Sequence, residues 1–445
     1  MTARTTPIGR LRSWLEGREF LRHVLVLMSG TALAQLVPIL VSPILSRLYT
    51  PYEFGILTAF MSLVAMLVTI ATWRYDLAIV LPKEPADARA LVKVAVRLST
   101  ITCLVVGLGL VVVADPVSRA LGNLGLKPWI AGVGLVAWAY AQVGIFSTWC
   151  NRQKDYRRIG SNRVLQASTT TGLQLAGGAA GLGPAGLIVS VGIGQLVAAG
   201  NLIRQTRREI LGKPASPLRE VMVEHRKLPL VTTPTAVLDT VRVNGTQLMI
   251  SAFFSSAALG QFGQAWRLLQ APITLINSSL ATVFFQRLSV TPRGKVLHLV
   301  VRMMSRTALI GVVPFGLVWL LAPPLFPVIF GEPWAQAGVI AAALVPWLYL
   351  NFVTSPISLL FVVAGRQGVL FWFGIPFTAA PLWLVAVSHS DIIATVSYLS
   401  WLMAGLLVVL VGLALWVARR YDREPETTHA TEPGQALGDV PQSVL

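Results

Sequence analysis

Asp239 and Arg242 stand three residues apart in LPLVTTPTAVLDTVRVNGTQLMI, a run otherwise apolar or hydroxyl-bearing. On a helix, that spacing puts a carboxylate and a guanidinium on one face, one turn apart. If the helix starts near Leu228, Asp239 lies about 16 Å along it, close to the middle of a hydrocarbon layer of about 30 Å. A charge at that depth costs at least about 2.5 kcal/mol, so it pairs or faces water. Asn244 and Gln247 continue the polar stripe, and Thr232, Thr233 and Thr235 precede it. In GQFGQAWRLLQAP, Arg267 follows Gln261 and Gln264, roughly 12 Å from a helix end near Leu259. A third arginine, Arg74, sits with Asp76 near the end of an apolar run in TIATWRYDLAIVLPKE; two residues apart, they face different ways on a helix.

Guanidinium groups present a planar fork of donors that matches phosphate, so these arginines could receive an anionic headgroup inside a wet cavity. The competing readings are structural: a salt bridge between helices for Asp239 and Arg242, a neutralised charge for Arg267, and an interface anchor beside Trp73 and Tyr75 for Arg74. Enzymatic chemistry has little support. The five histidines are scattered, with only His389 near an outer rim, and no nucleophile is spaced with a base. The glycine-rich stretch TTTGLQLAGGAAGLGPAGLIVSVGIG lacks the Gly-Lys-Ser or Gly-Lys-Thr of a phosphate loop. Its small residues suit close helix packing in lipid. Cys103 and Cys150 sit in or at the end of apolar runs and form neither a disulfide framework nor a metal site. No cofactor is expected beyond coupling to a proton or sodium gradient.

The elements that must carry these residues are membrane helices. The chain has 445 residues, 54% apolar and only 12% charged, against about 25% charged in an average soluble protein. The expected fold class is an all-α polytopic membrane protein with twelve transmembrane helices. They are placed at about 24–45, 54–80, 91–113, 129–149, 164–182, 184–203, 228–254, 258–286, 302–322, 335–363, 368–388 and 392–417. The first run is too long for a signal-peptide core and is read as a retained helix.

Charge bias supports that count. With the amino terminus cytoplasmic, 30 of the 36 Lys and Arg residues fall in the tails and connections assigned inside. Only Arg47, Arg119 and Lys127 fall outside, and Arg74, Arg242 and Arg267 lie within the runs. This is the positive-inside pattern. It accounts for the net charge of +17 as orientation and attraction to anionic membrane lipids, with no need for nucleic acid.

The expected organisation is a basic amino-terminal segment (1–23), a six-helix bundle (24–203), a basic connection (204–227), a second six-helix bundle (228–417) and a disordered cytoplasmic tail (418–445). A faint echo between QLVPILVSPILSRLYTPYEFGIL and NGTQLMISAFFSSAALGQFGQAW points to parallel repeats around a central cavity. No connection is long enough for a soluble catalytic domain.

From about residue 24 to 415 the chain resembles the polysaccharide flippases, the O-antigen and exopolysaccharide translocases of the superfamily that also holds multidrug and toxin extruders. The likeness rests on SGTALAQLVPILVSPILSRLYTPYEFGILTAFMSL, WRYDLAIVLP, NRQKDYRRIG and GQFGQAWRLLQAPITLINSSLATVFFQRLS, taken in order and spacing. It implies two six-helix bundles forming a V-shaped cavity in the bacterial inner membrane. It also implies transfer of undecaprenyl-diphosphate-linked oligosaccharide units from the cytoplasmic to the periplasmic leaflet, with a polysaccharide polymerase and chain-length regulator as partners. By position, Arg74, Arg242 and Arg267 become its substrate-binding candidates, with Arg47 at the outer rim. Asp239 and Asp76 become orienting or ion-coupling groups, and Asn244, Gln247, Gln261 and Gln264 become polar lining. The alternatives are a flippase for the lipid-linked peptidoglycan precursor and a non-transporting membrane assembly protein.

Overall fold

The computed structural model describes residues 34–212, 218–225, 227–388 and 391–423. The expected basic segment 1–23, residues 24–33, part of the basic connection, His389 and the tail from residue 424 lie outside the described residues. Among the described residues the regular structure is helical throughout, and eight helical runs are long and apolar enough to cross a membrane. The chain is an all-α polytopic membrane protein.

Helix boundaries follow ordinary capping chemistry. Helix α1 (Ala34–Leu48) leads to α2 (Pro51–Ala71), which starts at a complete capping box: Thr50 and Glu53 satisfy each other's backbone N–H groups, and proline follows at the first helical position. Helices α3 (Pro85–Val112), α4 (Ala114–Ala120), α5 (Lys127–Arg152), α6 (Tyr156–Ala179) and α7 (Pro184–Ile210) follow. The expected break at GLGPAG is present, with Gly181 and Gly183 at positive φ and Pro184 opening α7. The short α8 (Leu218–Glu224) docks on α3 through the buried Val221, and the Tyr75 hydroxyl donates to its Met222 carbonyl at 3.1 Å.

Three expected runs are interrupted. The run 54–80 ends as an α-helix at Ala71 and resumes as a 3-10 helix, Tyr75–Val80. The run 228–254 is divided into α9 (Lys227–Thr240), a π-turn over Val241–Gly245, and α10 (Thr246–Phe253). The run 335–363 is three helices, α13 (Ala335–Ala343), α14 (Val345–Thr354) and α15 (Ser358–Val363). In the opposite sense, α12 (Val296–Phe330) continues through APPLFP despite Pro323, Pro324 and Pro327, as membrane helices can where neighbours meet the freed carbonyls. Helix α11 (Ser256–Val290) precedes it, and α16 (Gln367–Val387) and α17 (Ile392–Arg423) complete the fold.

Helix α2 is central. On one side it packs on α5, α3 and α7; on the other it meets α11, α9, the π-turn and α10. The α2–α11 seam is held by a reciprocal glycine contact near the two N-termini. A Cβ on Gly260 would stand 1.8 Å from the Pro51 carbonyl oxygen, and one on Gly55 would stand 1.7 Å from that of Ser256. Each glycine lies five residues after its helix's hydroxyl cap, Thr50 or Ser255, so the two helices meet as near copies of each other. Next to the seam, the Ser46 hydroxyl donates to the Phe330 carbonyl at 3.0 Å and the Trp334 indole donates to the Ser46 carbonyl at 2.8 Å. One end of the molecule is thereby closed between α1, α2, α11 and α12. A large apolar core runs through both sides of this seam, and a smaller one gathers Tyr75, Trp149 and Val221 at the other end of α2.

Candidate polar cavity around helix α2

The π-turn decides how Arg242 is presented. Its wider winding frees backbone carbonyls, and two side chains of the same segment satisfy them: Asn244 donates to the Thr240 carbonyl at 3.2 Å and Thr246 to the Arg242 carbonyl at 2.6 Å. Arg242 then reaches Asp239 at 3.3 Å, and its guanidinium lies 4.7 Å from the Phe377 ring centroid of α16. The expected one-turn pair is therefore present, but it is lopsided. The arginine side chain is 16% accessible and the aspartate 65%, in the middle of a membrane-length segment. A carboxylate that open at that depth faces water rather than lipid. Arg242 Nε is buried without a partner, which leaves donor capacity beyond Asp239.

The segment is braced from both neighbours. Gln247 is buried and accepts from the Ser62 hydroxyl of α2 at 2.8 Å, while the Thr240 and Thr69 hydroxyls meet at 2.8 Å. From α16, Thr378 donates to the Leu238 carbonyl at 3.2 Å. Gln247 thus works as a strut between helices more than as a cavity wall.

On α11, Arg267 donates to Gln264 Oε1 at 2.6 Å and lies 5.3 Å from the Phe54 ring centroid of α2. It has no carboxylate partner among the described residues. Its side chain is solvent-accessible. Gln264 and Gln261 are both buried, and Gln261 donates to the Pro333 carbonyl at 2.6 Å. Gln264 Nε2 and Gln261 Oε1 are left without partners.

Arg74 is not on a continuous helix. Trp73 and Arg74 both adopt left-handed backbone, φ 49° and 60°, which turns the chain out of α2 into the 3-10 helix. Thr72 holds the corner, accepting from the Arg74 N–H at 3.3 Å and donating to Asp76 Oδ1 at 2.5 Å. Asp76 is thus a local brace and not a partner of Arg74. Arg152 adds a clamp by donating to the carbonyls of Ile79, Val80 and Lys83. Arg74 is half-buried with Nε unpartnered, on a segment packed against α9.

Along one side of α2, the fold therefore gathers Asp239, Arg242, Asn244 and Gln247 from α9, the π-turn and α10, and Arg267, Gln264 and Gln261 from α11, with Arg74 at the far end of α2. Arg47 does not join them. It is exposed at the end of α1, beside the closed seam. The aromatic rings under the guanidiniums, Phe54 and Phe377, carry no sequence signal, because each lies on a different helix from the arginine it meets. Among the described residues, no group of three or more His, Cys, Asp or Glu is placed to hold a metal ion.

Residues 44–339 match the family model described as polysaccharide biosynthesis protein. The succinoglycan biosynthesis transport protein ExoT of Rhizobium meliloti (strain 1021) is 22% identical over 394 residues, covering 86% of this chain and 76% of ExoT. The fold is similar to the lipid II flippase MurJ in an inward closed conformation, with TM-score 0.70, 12% identity and 90% of each chain covered. It is also similar to an inward-facing multidrug resistance transporter of the MATE family, with TM-score 0.62, 13% identity, and 88% of this chain and 94% of that one covered. The relative and both structures are named as transport proteins; the structural likeness gives the fold, that of a polytopic helical membrane protein. With a match that spans well over half its length, the chain belongs to the polysaccharide biosynthesis protein family.

Proposed function

We propose that the protein is a flippase carrying undecaprenyl-diphosphate-linked oligosaccharide units from the cytoplasmic to the periplasmic leaflet, for O-antigen, capsule or exopolysaccharide assembly. The observation that carries the reading is Arg267, accessible and without a carboxylate partner among the described residues, on α11, which packs on α2 as do α9 and the π-turn that carry the Asp239–Arg242 pair. Guanidiniums that keep free donors can replace the water around a diphosphate, whereas fully paired ones cannot. Arg74, with its own unpartnered Nε, stands at the far end of α2 and would meet the headgroup at another stage of its passage. Membership of a polysaccharide biosynthesis family, the transport role in the name of ExoT and the fold shared with the flippase MurJ support this reading.

In this reading α1 to α7 supply six spans and α9 to α17 another six, forming two bundles with both termini cytoplasmic. Under that orientation the glycine seam lies at the periplasmic end, and the candidate cavity opens to the cytoplasmic leaflet, where lipid-linked units are made. Asp239 orients Arg242 in this state, and its open carboxylate is the group available for proton or sodium coupling. Arg47 would serve only as an outer-rim contact. The polysaccharide polymerase and the chain-length regulator are the expected downstream partners.

The test is export in a strain lacking its own translocase. Arg242→Ala and Arg267→Ala should each reduce surface polysaccharide by at least tenfold, with lipid-linked units accumulating in the cytoplasmic leaflet and normal protein in the membrane. Full export by both variants would end the site assignment. Supplying lipid-linked glycans of several defined kinds, the peptidoglycan precursor among them, separates this reading from that of a peptidoglycan-precursor flippase.

A further inference from the structure

We infer that one face of α7 is a binding site for an anionic phospholipid of the surrounding bilayer, separate from the candidate cavity around α2. Helix α7 is one of the runs long and apolar enough to span a membrane. Val189, Ile193 and Val197 form a stripe along it, 46%, 40% and 39% accessible, at the four-residue spacing that keeps side chains on one face. The same face then changes character. Gly200 comes next, and a Cβ placed there would have no neighbour within 4 Å, so the stripe ends in an open notch. Arg204 and Arg208 follow on that face, with Arg207 beside them. The notch and these arginines, with Ile203 and Gln205, line an open crease of about 590 Å³.

Three features distinguish this crease from ordinary positive charge at a membrane surface. First, Arg204, Arg207 and Arg208 are all exposed, and none has a hydrogen bond or ion pair among the described residues. Second, the acidic neighbour Glu209 is turned away and occupied: it accepts from Arg158 at 2.7 Å and from the Trp149 indole at 2.9 Å. The three guanidiniums therefore share no local counter-charge on their own helix. Third, the cations stand at the end of an apolar stripe without a side chain at Gly200 in between. A phosphodiester could settle in the notch, held by guanidinium forks, while an acyl chain lies on the valine and isoleucine side chains. A soluble phosphate would have no use for the stripe, and a neutral lipid would have none for the arginines.

The experiment uses the full chain, purified in neutral detergent, titrated with fluorescent phosphatidylglycerol and with the phosphatidylcholine analogue. The expected result is saturable binding of phosphatidylglycerol only. Arg204→Ala with Arg208→Ala should weaken it on the order of tenfold, and Arg204→Lys with Arg208→Lys should weaken it detectably, because an ammonium lacks the fork. Arg302→Ala with Arg306→Ala, an exposed pair at the same spacing on α12 that adjoins an apolar stripe but no open glycine notch, serves as the control and should leave binding unchanged. Unaltered elution and helicity of each variant show that it has folded. Equal losses from both arginine pairs, or full binding by the α7 lysine variant, would reduce the site to diffuse attraction and overturn the inference. So would displacement of the phosphatidylglycerol by an undecaprenyl diphosphate at comparable concentration, which would give the face to the substrate. Inorganic pyrophosphate should fail to displace it, since it brings no chain for the stripe.

Discussion

At the scale of single residues, the arginines are set by different means, and these predict different behaviour on substitution. Arg267 has an amide acceptor and an aromatic face but no carboxylate among the described residues, so its removal leaves no unmatched charge and takes a donor only from the buried Gln264 Oε1. Arg242 is tied to Asp239, and deleting either partner leaves the other unmatched at mid-depth. Arg74 is held by backbone. A non-glycine residue in the left-handed region costs about 1 kcal/mol, and here two occur in succession. Arg74→Gly should therefore raise stability by about 1 kcal/mol in reversible unfolding. The same variant should lose export, because the guanidinium is gone. A gain in stability with full export would show that the corner is strained for some purpose other than presenting Arg74.

At the scale of elements, the π-turn and the seam are the parts that depart from plain helix. The π-turn keeps its shape only while Asn244 and Thr246 occupy the carbonyls it frees. Replacing both with alanine should cost about 1–3 kcal/mol, the usual loss for buried backbone groups left without partners. It should also let the segment relax toward α-helix, turning Arg242 away from Phe377. Thermal unfolding in micelles reads the first effect, and loss of export out of proportion to the stability change reads the second. The glycine seam behaves differently because it has no room to give. Gly260→Val would drive side-chain atoms into the Pro51 carbonyl, and α2 must then part from α11. Labelling of a cysteine placed at Ser256 by a membrane-impermeant reagent should rise several-fold in that variant. Unchanged labelling would mean that the seam is not what closes this end.

At the scale of the molecule, the proposed function requires the end closed by the seam to open, so the seam is the part to lock. Thr58 and Gly263 face each other across α2 and α11, with the Thr58 hydroxyl 2.6 Å from where a Gly263 Cβ would stand. A disulfide between cysteines at these positions should hold the seam shut. Export should stop on oxidation and return with reductant, read as surface polysaccharide before and after treatment. Transport that continues with the bond formed would exclude separation of α2 from α11 as part of the cycle.

Much of this protein is written in local composition. Apolar length and sparse charge determined a polytopic helical membrane protein, because a lipid interior admits few alternatives. The three-residue spacing of Asp239 and Arg242 determined their pairing, because helix geometry fixes that neighbour. Only the tertiary structure decided where Arg74 stands, since the left-handed corner at Trp73 and Arg74 depends on Thr72, Arg152 and the docked α8 together. The π-turn likewise has no one-dimensional mark, being maintained by packing between α2 and α16. The echo read at Phe54–Gly55 and Phe262–Gly263 is, in the fold, a register of Gly55 with Gly260 set by the caps. Which polar groups stay wet and which become struts, Asp239 against Gln247, is a property of the helices packed around them and of no residue alone.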